Sequence, residues 1–129
     1  MLRDRTEAAL TIAGLSDRRD RAAGTLSHGE QRQLEITMVI ATDPKIVLLD
    51  EPLAGMSGGE SRSMVELIRS LRTARAVLLV EHDMDAVFAV ADRLTVMADG
   101  CVIASGAPGE VRRHPAVRAA YLGAEVPHP

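Results

Sequence analysis

Apolar and polar positions along this chain follow two different periods, and the change from one to the other marks its elements. Ile46-Val47-Leu48-Leu49 is an unbroken apolar run that leads into Asp50-Glu51 and stops at Pro52. A run of this kind with two β-branched members predicts a buried strand of a parallel sheet over Ile46–Glu51. Ala76-Val77-Leu78-Leu79-Val80 predicts a second buried strand, ending in Glu81-His82-Asp83. Between them Met64, Leu67, Ile68 and Leu71 recur at i, i+3, i+4 and i+7, the apolar stripe of a helix from about Glu60 to Arg72. Strand, helix, strand predicts a right-handed parallel crossover. His82 would then emerge on the same edge as Asp50 and Glu51, at the strand ends where open α/β sheets bind ligands.

The flanking segments read as shorter pieces. A helix is predicted from about Arg3 to Ala13, closed by Gly14 with Leu15 behind it. A charged loop, Asp17 to Arg21, follows. In Leu26-Ser27-His28-Gly29-Glu30-Gln31, Ser27 and Glu30 form a capping box that starts a helix running to about Ala41. Leu34, Met38 and Ala41 lie at helical spacing, and Asp43-Pro44 stops the run. A serine cap beside a glycine leaves backbone N–H groups open at the positive end of the helix, an anion site unless it serves as an ordinary cap. Leu53 to Gly59 reads as a turn-rich loop. Asp83 caps a short helix over Met84 to Ala91. Leu94–Met97 and Cys101–Ala104 flank Asp99-Gly100, a strong hairpin signal. Two helical turns, Pro108–Arg113 and Pro115–Leu122, close the chain at Gly123. Val117 and Tyr121 dock the second, and a frayed tail is expected from Glu125.

Composition narrows the function. A chain of 129 residues is one domain, and with 47% apolar but only 2% aromatic residues its core must be aliphatic. A net charge of −3 gives no nucleic-acid surface. The lone Cys101 excludes an internal disulfide, and its place in a strand-like run predicts a buried, inert thiol. No stretch has the roughly 18 apolar residues of a membrane span, and Met1 to Arg5 turns polar too early for a signal peptide, which predicts a soluble cytoplasmic chain.

Four segments in order then carry a resemblance. Leu26-Ser27-His28-Gly29-Glu30 resembles the signature motif of ABC transporter ATP-binding subunits, usually LSGGQ. Val47-Leu48-Leu49-Asp50-Glu51 resembles Walker B with its following glutamate. The D-loop (Ala54, Gly55, Met56, Ser57) and the switch histidine (His82) fall at the matching places. The Glu81-to-Asp85 stretch, Ile103 to Gly106 and Ala120-Tyr121-Leu122-Gly123 are similar to the branched-chain amino-acid importer group, and the tail also resembles lipopolysaccharide-export ATPases. The resemblance implies an α/β, truncated P-loop NTPase fold: part of the helical subdomain over 1–45, the Walker B to switch-histidine sheet and hairpin over 46–106, and a helical tail over 107–129. It implies ATP and Mg2+ as cofactors. Asp50 would hold magnesium through water, Glu51 would polarise the attacking water, and His82 would contact the γ-phosphate. Leu26 to Gln31, chiefly Ser27 and Gly29, would face the nucleotide of a second ATP-binding subunit. Membrane permease subunits would be the further partners, at the inner face of the cell membrane.

The chain also departs from that family. It contains no G-x-x-x-x-G-K-[ST] phosphate loop, its sole lysine is Lys45, and the pair Gly58-Gly59 is followed by Glu and Ser. The expectation is the carboxyl-terminal half of a nucleotide-binding domain, inactive alone, exposing a broad apolar sheet face. Paired with a complete subunit it could complete at most one of two sites. A non-catalytic docking module and a split gene are the competing readings. His28 replaces a small signature residue, Ser57 stands where Asp is common, and Ala107 leaves the Pro108 helix without a side-chain cap.

Overall fold

The computed structural model describes residues 1–122, so the readings for Gly123 and for the tail from Glu125 lie outside the described residues. The chain forms two compact units, Met1–Asp83 and a second from Met84 onward.

In the first unit α1 (Leu2–Ile12) ends as predicted. Gly14 turns left-handed at φ 70, which lets Leu15 N–H reach back to Leu10 O at 2.9 Å and Gly14 N–H to Thr11 O at 3.1 Å. Leu15 is thereby folded into the core. The helix α2 (His28–Ile40) starts at the Ser27 capping box. Its inward face lies beside the regularly spaced Leu34, Met38 and Ala41: Ile36, Thr37 and Ile40 are buried, whereas Met38 is 67% exposed and Leu34 is half-buried. Spacing alone leaves the choice between neighbouring stripes open, and packing against α1 and the helix α3 (Gly58–Leu71) decides it. Thr37 tolerates burial because its hydroxyl donates to Gln33 O at 2.7 Å.

The strands β1 (Ile46–Asp50) and β2 (Ala76–Val80) pair in parallel, Ile46 opposite Ala76 through Asp50 opposite Val80. Between them α3 buries the predicted stripe of Met64, Leu67, Ile68 and Leu71. One face of the pair is covered and Val47 is buried on it. The other face is open, with Ile46, Leu48, Leu78 and Val80 at 65, 70, 61 and 55% exposure. The expectation of two buried strands is thus corrected to strands buried on one face, while the open face is the exposed apolar face expected of a truncated sheet. The apolar runs have the composition of a sheet covered on both faces, but here side chains that alternate across the pleat meet helices on one side only.

The second unit holds α4 (Met84–Val90), then the antiparallel strands β3 (Leu94–Ala98) and β4 (Cys101–Gly106), then α5 (Pro108–Arg113) and α6 (Pro115–Val117). Asp99 and Gly100 both have positive φ, 50 and 77, the turn whose twist matches the hairpin. A register shift between Val96 and Met97 leaves Ile103 as the extra residue of a bulge. Val96, Val111 and Val117 form the core, with Met84, Leu94, Ile103 and Ala104 packed against it. Tyr121 donates its hydroxyl to Met97 O, and Val117 is fully buried, the docking expected of that pair. The Arg112 guanidinium lies 5.2 Å from the Phe88 ring centre, a cation–π contact. Ala107 gives α5 no side-chain cap, as expected. Cys101 is exposed, which corrects the buried-thiol reading. It opens β4 directly after the hairpin turn, where no layer covers it.

Leu71 is fully buried in the α3 stripe, so Leu71→Ala leaves a cavity where that side chain stood. Urea unfolding should show a loss of about 2–5 kcal/mol.

Candidate functional site

The ladder between β1 and β2 continues one residue past Asp50, because Glu51 N–H donates to Val80 O at 2.8 Å. Glu51 then turns left-handed at φ 45, a conformation that costs a non-glycine residue on the order of 1–3 kcal/mol. Hydrogen bonds from Ala54 N–H to Glu51 O (3.1 Å) and from Met56 N–H to Leu53 O (3.2 Å) hold the chain in the following turns. Glu81, to which the sequence assigned no role of its own, anchors this bend. One carboxylate oxygen accepts from Leu53 N–H at 2.9 Å and the other from His82 N–H at 3.1 Å. The only sequence signal for it is an acid at the end of a strand that must run beside β1.

The outcome is a close pair: His82 Nδ1 lies 3.3 Å from Glu51 Oε1. Both side chains are exposed, as is Asp50 at the end of β1. The parallel pairing therefore brings Glu51 and His82 together, as the strand pattern predicted.

The Ser27 turn is built from carboxylates. Ser27 Oγ accepts from Glu30 N–H at 3.2 Å, and Glu30 Oε2 accepts from Ser27 N–H at 3.0 Å. The Arg18 guanidinium donates to the other Glu30 oxygen at 2.8 Å. The Ser27 backbone donor first, and Arg18 second, hold the Glu30 carboxyl below its usual range. Gln31 Nε2 donates to Leu26 O at 3.3 Å, folding the preceding loop against the helix start. His28 reaches the loop after β1, with its Nε2 3.3 Å from Ala54 O.

A second box went unread in the sequence. Ser57 caps α3 and Glu60 closes back on it, so this helix begins at Gly58 rather than near Glu60. Ser57-x-x-Glu60 has the same spacing as Ser27-x-x-Glu30, so the signal was present. Glu60 Oε2 accepts from Ser57 N–H at 3.0 Å, while its Oε1 accepts from Gly29 N–H at 2.9 Å. One carboxylate thus caps two helices. These donors, Ser57 first and Gly29 second, push the Glu60 carboxyl down to about 2.

Among the described residues no three His, Cys, Asp or Glu side chains converge on a metal position. Asp50 offers an exposed hard-oxygen donor at the end of β1. That fits magnesium, which takes one or two carboxylates, water and nucleotide phosphates rather than a full protein cage. No described helix is long and apolar enough to cross a membrane.

The low value at Glu60 carries a pH dependence. Its folded carboxyl titrates below the ordinary 4.5, so its contribution is complete above that value and is lost as pH falls toward about 2. Melting curves across that window should fall more steeply for the parent chain than for Glu60→Gln.

Comparison with known proteins adds sequence-wide likeness to this geometry. Residues 2–54 match the ABC transporter family, and residues 101–127 match the branched-chain amino acid ATP-binding cassette transporter family. The chain is 42% identical over 122 residues to LivG of Salmonella typhimurium, a high-affinity branched-chain amino acid transport ATP-binding protein, covering 93% of this chain and 48% of the relative. It is 42% identical over 116 residues to the corresponding BraF protein of Pseudomonas aeruginosa, covering 88% of this chain and 46% of that one. The chain spans about half the length of the curated relatives it matches. The ADP conformation of MJ1267, an ATP-binding cassette of an ABC transporter, superposes with a TM-score of 0.80 at 31% identity, over 95% of this chain and 50% of that one. Motif order, the matched families and the shared fold agree: residues 2–54 and 101–127 match ABC transporter families, and the fold is that of about half of an ATP-binding cassette.

Proposed function

We propose that this chain supplies the water-activating, switch and signature elements of an ATP-hydrolysing subunit that powers membrane transport. The cargo class is branched-chain or related amino acids, following the named relatives. The observation that carries the reading is the Glu51–His82 pair, 3.3 Å apart at the carboxyl ends of two parallel strands.

In this reading Glu51 accepts a hydrogen bond from the attacking water and aligns it on the γ-phosphate, a role its carboxylate can fill from the exposed strand end. His82 has Nδ1 engaged by Glu51, so Nε2 is the nitrogen left to face the phosphate. Asp50 would hold Mg2+ through water, and the ion would screen the charge on the phosphate oxygens. Ser27, its hydroxyl at the start of α2, serves a nucleotide carried by a second ATP-binding subunit, with Gly29 beside it. His28 and the Ala54–Ser57 loop shape that turn. Permease subunits anchor the assembly at the cytoplasmic face of the membrane. No phosphate loop lies within these 129 residues, so the phosphates that reach Glu51 must be gripped by another segment.

Calorimetry with Mg-ATP tests this. The chain alone should give no binding heat. Mixed with a complete ATP-binding subunit it should change that subunit's ATP turnover, and Ser27→Ala should remove the change while the chain stays folded. Micromolar binding by the chain alone would sink the requirement for an outside phosphate grip. In an assembly complemented with a phosphate-loop segment, Glu51→Gln should keep ATP binding and slow hydrolysis by roughly 10²–10⁴-fold.

A further inference from the structure

We infer that the Glu60 carboxylate is an internal anion that occupies the Ser27–Gly29 turn, so that any phosphate arriving there must displace it from the Gly29 N–H.

The contact is specific. Gly29 N–H points at Glu60 Oε1 from 2.9 Å, and one N–H makes one well-aligned hydrogen bond. Glu60 and Glu30 together place two carboxylates at the start of α2, where the helix dipole and open N–H groups favour negative charge. An incoming phosphate would meet both, and like charges close together repel.

Space gives the same answer independently. A Cβ at position 29 would lie 2.7 to 2.8 Å from Glu60 Cγ, Cβ and Cδ. The missing side chain at Gly29 is filled by the stem of Glu60, so the glycine makes room for a residue of its own chain. The neighbouring loop is held close too. His28 Nε2 lies 3.3 Å from Ala54 O and 3.4 Å from where a Cβ on Gly55 would stand.

Release is mechanically simple. Glu60 holds Ser57 N–H through its other oxygen, so it can leave Gly29 and still close its own capping box. Ser27, Gly29 and Glu60 all line one groove of about 640 Å³ between the three helices of the first unit, which gives the carboxylate somewhere to swing and an anion a way in. The donor set suits a phosphate monoester or the terminal phosphate of a nucleotide. Which of the two it meets rests on the function proposed above.

Two arms test the inference. The first titrates inorganic phosphate into the ¹⁵N-labelled chain near pH 7 and follows the Gly29 amide resonance. The parent should not respond, whereas Glu60→Asp, which keeps a carboxylate for Ser57 but is one methylene shorter, should bind at least about tenfold tighter, the worth of one charge-assisted hydrogen bond. Glu60→Ala should behave likewise, and Glu60→Asp decides the question if the alanine variant does not fold. Equal response in parent and variant, or none in either, overturns the inference. The second arm adds parent or Glu60→Asp chain to a complete ATP-binding subunit and measures ATP hydrolysis. A several-fold lower KM for ATP with the variant, at similar kcat, is expected, and a higher KM overturns competition at that turn. If neither chain changes hydrolysis while the Gly29 amide still gains phosphate, the transport reading fails and the Glu60 inference stands.

Discussion

The parallel pairing of β1 with β2 is the constraint on which the candidate site depends. Because Asp50 sits opposite Val80 and Glu51 N–H closes one further bond to Val80 O, the residues just beyond each strand leave the sheet at the same height. Nothing local to Glu51 or His82 could bring them within 3.3 Å, since 31 positions separate them. The register does it, and the register rests on α3, whose buried stripe lies between the two strands in sequence and fixes the crossover. A slip of one residue would turn Val47 from the core to the open face and separate the pair.

Carboxylate capping is the second organising force. Four acids, Glu30, Glu51, Glu60 and Glu81, each hold a specific donor, and three of them accept from backbone N–H groups. Backbone donors at helix starts and tight turns have no other protein partner by default, so an acid three residues on, or one strand away, satisfies them cheaply. In the first unit this places the Ser27 turn and the loop after β1 under shared control. Glu60 bridges Gly29 to Ser57, and His28 meets Ala54. Neither element can shift far without breaking a bond to the other.

Much of this was legible in the residues. Four consecutive apolar positions, an amphipathic stripe and a second apolar run predicted both strands, the helix between them and the convergence of His82 with Glu51. The Gly14 helix stop and the Asp99-Gly100 hairpin turn followed from single residues whose backbone needs are distinctive. The misses share a cause. The inward face of α2 depends on which neighbours it meets, so the helical spacing of Leu34, Met38 and Ala41 does not mark it, and Met38 is exposed. The apolar runs read as buried strands because they carry no mark of which face is covered, and Cys101 looked buried for the same reason. The absence of a phosphate loop and its strands, by contrast, predicted the exposed apolar face that Ile46, Leu48, Leu78 and Val80 form. The Ser57-x-x-Glu60 box is legible in its spacing, but the further bonds of Glu60 to Gly29 and of Glu81 to Leu53 join residues 31 and 28 positions apart, a relation no periodicity shows.

The open sheet face and the candidate catalytic pair share the same two strands. Ile46, Leu48, Leu78 and Val80 form an apolar strip on the two strands that end in Glu51 and beside His82. Burying each of these side chains is worth about 1.5–3 kcal/mol, a gain the isolated pair forgoes. Parallel sheets are stable when both faces are covered, and each strand here has an edge unpaired among the described residues. A layer that covered Leu48 and Val80 would lie against the same strands that carry the candidate catalytic pair. Backbone that covered the apolar strip would pack on the strands that carry Glu51, so the hydrophobic gain of covering it would be available to order chain beside that carboxylate.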